Sequence, residues 1–166
     1  MVYWGMPDPT LAEALKDSRL AAELTEAQQQ VLALHLTFRK LVAGDVLVAE
    51  GKSDDHLYVL VSGALAVTRN AGQPDAVTLF TLAPGDLVGE LSFIDATPHY
   101  ASLVAAGPTL VFGLERGRLE SLLDQDPRLV YQVMRSIVRT THQIQRRLSM
   151  QSVELTNYIY KQHGRY

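Results

Sequence analysis

Gly85-Asp-Leu-Val-Gly-Glu-Leu-Ser-Phe-Ile-Asp-Ala-Thr-Pro-His-Tyr-Ala-Ser102 is the stretch on which the reading of this chain turns. Pro84-Gly85-Asp86 is a turn signal directly after an apolar run, and Gly89 is a second point where the backbone can approach a neighbour. Glu90 to Ile94 is long enough for about one helical turn, and Thr97-Pro98 breaks the chain before alternation resumes. A short helix opened by glycine inside a strand-rich region presents backbone N–H groups that have no intrahelical partner. Such groups attract an anion. This is the expected place for a phosphate.

On both sides of this stretch the apolar period is two. Residues 36–42, 46–50, 56–62, 64–69 and 75–83 read as strands before it, and 100–106 and 109–115 after it. Gly44-Asp45, Gly63 and Gly107-Pro108 punctuate them, which indicates a closed antiparallel sandwich or barrel. Gly44-Asp45 and Gly85-Asp86 sit at similar corners, a hint of two related halves.

The flanks are helical. Thr10 caps an expected helix running to Leu20, with Leu11, Ala14 and Leu15 on one face, and Thr25-Glu-Ala-Gln28 reads as a capping box for a second. Beyond Arg116, Leu119, Leu122 and Leu123 mark a short helix that stops near Asp126-Pro127. Pro127 then suits the first turn of a long helix with no further Gly or Pro until Gly164. Val130, Met134, Ile137, Thr141, Ile144, Leu148, Gln151 and Leu155 recur in steps of four and three, a heptad seam. The expectation is a homodimer joined along Val130, Met134, Ile137, Thr141, Ile144 and Leu148. Packing on the chain's own sheets is the competing reading.

Composition narrows the function. With no cysteine among 166 residues there is no disulfide framework, thiolate metal site or cysteine nucleophile. The opening Met1-Val-Tyr-Trp-Gly-Met-Pro lacks the pattern of a signal peptide, and no apolar run approaches a membrane span, so a cytoplasmic protein is expected. The net charge of −3 divides unevenly: residues 1–126 carry 8 Lys+Arg against 17 Asp+Glu, and residues 127–166 carry 7 against 1. The basic tail either folds back on an acidic body or serves a protein partner. His35, His56, His99, His142 and His163 are scattered, and none forms the His-x-His pair of a jelly-roll metal enzyme. No metal site and no catalysis are expected.

Three runs together carry a resemblance: Gly44-Asp-Val-Leu-Val-Ala-Glu-Gly51, Leu57-Tyr-Val-Leu-Val-Ser-Gly-Ala-Leu-Ala-Val67, and Gly85-Asp-Leu-Val-Gly-Glu-Leu-Ser-Phe-Ile94. In order and spacing they resemble the cyclic nucleotide-binding domains of bacterial catabolite activators and of the regulatory subunit of cAMP-dependent protein kinase. The resemblance spans residues 25–150. It implies a mainly β fold, an eight-stranded antiparallel jelly roll with N-terminal helices and a long C-terminal helix. It divides the chain into an N-terminal helical extension (1–24), the β-roll (25–126) and a dimerisation helix with its tail (127–166).

The same resemblance implies a non-catalytic sensor for a small anionic, nucleotide-like ligand, cAMP, cGMP or a related anion. Gly89, Glu90 and Leu91 match the Gly-Glu-Leu of the family's phosphate-binding cassette, residues 89–102 here. There the Glu accepts from a ribose hydroxyl and the N–H groups after it, through Ser92, hold the cyclic phosphate. His99, Tyr100, Ala101 and Ser102 complete the cassette, and Thr141 and Gln145 of the long helix are the candidates for the base end.

Two departures bear on function. Where nucleotide-binding members place an arginine after Thr-Pro, this chain has His99, then the bulky Tyr100. Arginine is always charged and forked, whereas neutral histidine offers one N–H. Losing one partner of a desolvated charge pair costs about 2–5 kcal/mol, roughly a 30- to several-thousand-fold loss of affinity. The second departure is that no helix-turn-helix fits within residues 153–166, so sequence-specific DNA binding is not expected. The alternative to a sensor is a degenerate fold without nucleotide, kept as an interaction or dimerisation scaffold.

Overall fold

Two capping boxes open the chain. The computed structural model describes residues 8–163, and for residues 144, 145, 147, 148, 151, 155–157 and 159–163 it describes the backbone alone. Helix α1 (Leu11–Lys16) starts where Thr10 and Glu13 cap each other, and a 3-10 turn follows at Arg19–Ala21. Helix α2 (Glu26–Ala33) starts at the reciprocal Thr25–Gln28 pair. The first helix is shorter than expected because Asp17 leaves the helical conformation as its C-cap.

Eight strands follow: β1 (Leu36–Leu41), β2 (Val46–Val48), β3 (His56–Ser62), β4 (Leu65–Arg69), β5 (Val77–Leu82), β6 (Leu87–Val88), β7 (Ser102–Ala105) and β8 (Thr109–Glu115). They form two four-stranded sheets, ordered β1-β8-β3-β6 and β2-β7-β4-β5, with every pairing antiparallel. This is the eight-stranded roll that the resemblance implied. Periodicity alone suggested seven strands, because β6 has two residues and pairs only through Tyr58–Val88 and Val59–Leu87.

β3 explains how the layers stack. Its apolar run faces two cores at once, as a strand covered on both sides does. Leu57 and Val59 join the helices in one cluster with Leu15, Leu20, Leu32, Phe93 and Phe112. Tyr58 and Leu60 face the interior of the roll with Leu65, Leu103 and Val111.

After β8 come α4 (Arg116–Glu120) and α5, 37 residues from Pro127 to His163. Leu129, Val130, Val133 and Ile137 of α5 are buried in the helical core, and Met134 packs against it. The first half of the expected seam therefore lies against the chain's own core, which removes Val130 and Ile137 from a surface that a second chain could reach and leaves Met134 partly buried. The reason is the N-terminal segment: Leu15, Leu20 and Ala21 supply the apolar surface that these turns cover. Ile144 and Leu148 fall outside the described side chains. The outer face of α5 meets the acidic body, since Arg135 and Arg139 both pair with Glu23 and Arg19 donates to Gln143 at 2.9 Å. Among the described residues no helix is long and apolar enough to cross a membrane.

Candidate functional site

Helix α3 (Glu90–Asp95) begins at Gly89, whose φ of +88° places it in the left-handed region. A β-carbon there would stand 3.0 Å from the carbonyl oxygen of His56, so a side chain would crowd the strand as well as strain the backbone. Phe93 N–H makes the first intrahelical bond, to Gly89 O at 2.9 Å. The N–H groups of Glu90, Leu91 and Ser92 are left facing outward from the helix start. Phe93, 2% exposed, anchors the short helix in the core.

A cavity of about 80 Å³ opens beside this helix start, enclosed by the cassette on one side and by Val67, Leu82 and Leu103 on the other. That is enough room for ordered water. Its rim is apolar and exposed at Phe80, Leu91 and Tyr100. Glu90 is the one carboxylate in the lining, and no Lys or Arg joins it. Burial, then the charge of Glu90, raises the Tyr100 phenol above its usual value.

His99 is held from behind. Its N–H donates to Lys52 O and its carbonyl accepts from Gly51 N–H, both at 2.8 Å. The side chain is 10% exposed, with Nε2 lying 3.5 Å from Asp54 Oδ1. That approach is an ion-pair distance without hydrogen-bond geometry, so Nε2 is a buried atom with no hydrogen-bond partner. The ring lies against the helix start: a β-carbon on Gly89 would be 3.8 Å from His99 Cε1.

Asp54 is itself fixed on every side. Its N–H donates to Ser92 Oγ and its carbonyl accepts from the same hydroxyl, each at 2.7 Å. Its carboxylate accepts from His56 N–H at 3.3 Å and from the Tyr58 hydroxyl at 3.2 Å. Arg39 donates to Tyr58 Oη at 3.2 Å and stands 5.9 Å over the ring. Burial, followed by the charge of Asp54, pushes the Tyr58 phenol up to about 12, and Arg39 opposes this. A polar chain Arg39–Tyr58–Asp54–His99 thus runs from the sheet to the cavity.

Of the expected site residues, Gly89, Glu90, Leu91, Ser92, His99, Tyr100 and Ala101 line this one cavity. Ser92 contributes backbone only, because its hydroxyl is turned to Asp54. Ser102 does not line it: its Oγ accepts from Glu50 N–H at 3.0 Å in a position 6% exposed. Nor does Thr141, whose hydroxyl donates to Ile137 O at 3.0 Å on a helix packed against the turn at Arg19–Ala21. Gln145 falls outside the described side chains. Asp54, Tyr58 and Arg39 were not singled out in the sequence, where Asp54 reads only as part of a polar loop.

The family model described as the cyclic nucleotide-binding domain matches residues 38–126, just over half of the chain. The chain is 29% identical over 96 residues to a CRP-like cAMP-activated global transcriptional regulator of Mycobacterium tuberculosis, a match covering 58% of this chain and 43% of that protein. A cyclic nucleotide-binding domain from Methylobacillus flagellatus superposes with a TM-score of 0.72 at 24% identity, covering 83% of this chain and 78% of the other. The N-terminal domain of a transcriptional regulator from Streptomyces coelicolor gives a TM-score of 0.68 at 27% identity, covering 81% and 94%. The roll, its glycine-opened cassette and the matched residues agree: the chain belongs to the cyclic nucleotide-binding domain family.

Proposed function

We propose that this chain is a non-catalytic regulatory module that senses a small nucleotide-like anion in the cassette cavity and dimerises through α5. What supports this reading is that Glu90, Leu91 and Ser92, whose N–H groups have no intrahelical partner, line one cavity together. Glu90 receives a ribose-type hydroxyl, and the N–H groups of residues 90–92 receive the anionic group. Cyclic AMP and cyclic GMP are the first probes, since the family relatives include a cAMP-activated regulator. Calorimetric titration with cyclic AMP at about pH 6 should give saturable binding that Glu90→Ala abolishes. Binding unaffected by Glu90→Ala refutes the placement of the hydroxyl.

Dimerisation falls to the second half of α5. The helix is about 55 Å long at about 1.5 Å per residue. Its later turns expose Met150, Val153 and Tyr158. Thr141, Ile144 and Leu148 continue the heptad there. Sedimentation should show a dimer that a double Ile144→Glu, Leu148→Glu change converts to monomer.

One observation favours a scaffold without ligand: the cavity of about 80 Å³ is below the roughly 300 Å³ of ordinary small-molecule sites. In that case no cyclic nucleotide binds, and deleting residues 157–166 releases a protein partner from the basic tail.

A further inference from the structure

The cavity lacks a fixed cation. Among its lining residues only His99 can acquire positive charge, and only by taking up a proton. The short helix start is therefore not the whole site; a side chain nine-tenths buried, with an unpartnered ring nitrogen, lies against it. The groups around that ring are known on each side. Asp54 faces Nε2 from the loop before β3, with Tyr58 and the main chain of His56 behind the aspartate. Glu90 and Tyr100 stand on the cavity side. Arg39 reaches the group only through Tyr58, and Lys52 touches His99 only through its carbonyl.

We infer that anion binding in this cavity is coupled to uptake of one proton by His99, and that Asp54 is the positioning residue that enforces the coupling. This rests on the anion-sensing reading above. The argument is one of proton count. A neutral imidazole has one N–H and one lone pair. The Asp54 carboxylate stands 3.5 Å from Nε2, outside hydrogen-bond geometry, and its charge disfavours a lone pair there, so the single N–H of a neutral ring sits on Nε2 and Nδ1 keeps the lone pair. A lone pair repels an anion. Only the imidazolium has an N–H for Asp54 and a second for the ligand. Asparagine at position 54 removes the constraint, because its amide N–H₂ can donate to Nε2 and leave the N–H of a neutral ring on Nδ1.

The test uses cyclic AMP, whose phosphodiester charge is constant across the range, titrated calorimetrically between about pH 5.5 and 8.5. Wild type should weaken by up to about tenfold per pH unit on the alkaline side, and buffers of different ionisation enthalpy should report about one proton taken up per site. His99→Arg should bind more tightly with a flat profile. Asp54→Asn should also flatten the profile, which a merely structural aspartate would not do, since loss of folding lowers binding at every pH alike. A flat wild-type profile with no proton uptake overturns the coupling and leaves the anion site standing. Failure of both wild type and His99→Arg to bind overturns the sensing function, and the coupling with it.

Discussion

Replacing Ser92 by alanine probes what ties α3 to the loop before β3. The hydroxyl is 1% exposed and makes two hydrogen bonds of 2.7 Å, accepting from Asp54 N–H and donating to Asp54 O. Alanine leaves both main-chain groups without that partner in a half-buried loop. A buried polar group left unsatisfied costs about 1–3 kcal/mol, and the loop's partial access to water favours the lower end, so the sum is about 2–3 kcal/mol. For a chain of this size each kcal/mol lowers the melting temperature by about 2–4 °C, giving a fall of roughly 4–12 °C. Ser102→Ala is the internal scale, since it removes one bond, from Glu50 N–H, and should cost about 1 kcal/mol. Urea and thermal unfolding followed by circular dichroism measure both. A loss below about 0.5 kcal/mol for Ser92→Ala, or one smaller than that of Ser102→Ala, refutes the view that this hydroxyl ties α3 to the loop carrying Asp54.

Other outcomes follow from single contacts. Phe93→Ala should destabilise by about 3–4 kcal/mol, measured by urea unfolding, because the side chain that anchors α3 is 2% exposed. Ala96 caps that helix at φ +59°, so Ala96→Gly should raise stability by about 0.5–1 kcal/mol, and an unchanged or lowered melting temperature contradicts this. Tyr58 holds its proton to about pH 12 when folded, whereas an unfolded tyrosine releases it near 10. The unfolded state thus gains between these values, and stability falls by roughly 2–3 kcal/mol as pH rises through that window. Tyr58→Phe should remove this alkaline fall. Glu23→Gln should cost no more than about 1 kcal/mol, diminishing with added salt, because its partners Arg135 and Arg139 are half exposed.

Local chemistry in the sequence was enough to locate the elements. The Thr10 and Thr25 boxes, the strands at 56–62 and 109–115, the turn before the cassette and the start of α5 at Pro127 all rest on side chains acting within a few residues. β6 escaped because a two-residue strand has no period to read. The heptad on α5 was real as a pattern but ambiguous as to partner: an apolar stripe does not say which apolar surface covers it. The segment around Leu20 settled that for the first turns.

The sequence by itself determined the strand-and-turn pattern, the glycine that precedes α3, Glu90 at its head and a histidine at position 99, since each depends on residue type and spacing along the chain. Only the tertiary structure decided what His99 faces, which hydroxyls are already bonded and which turns of α5 are covered. Those answers depend on residues 38 and 45 positions apart, such as Ser92 with Asp54 and His99 with Asp54, brought together by the closing of two sheets. No local propensity encodes the contact between side chains so far apart; packing of the whole roll does.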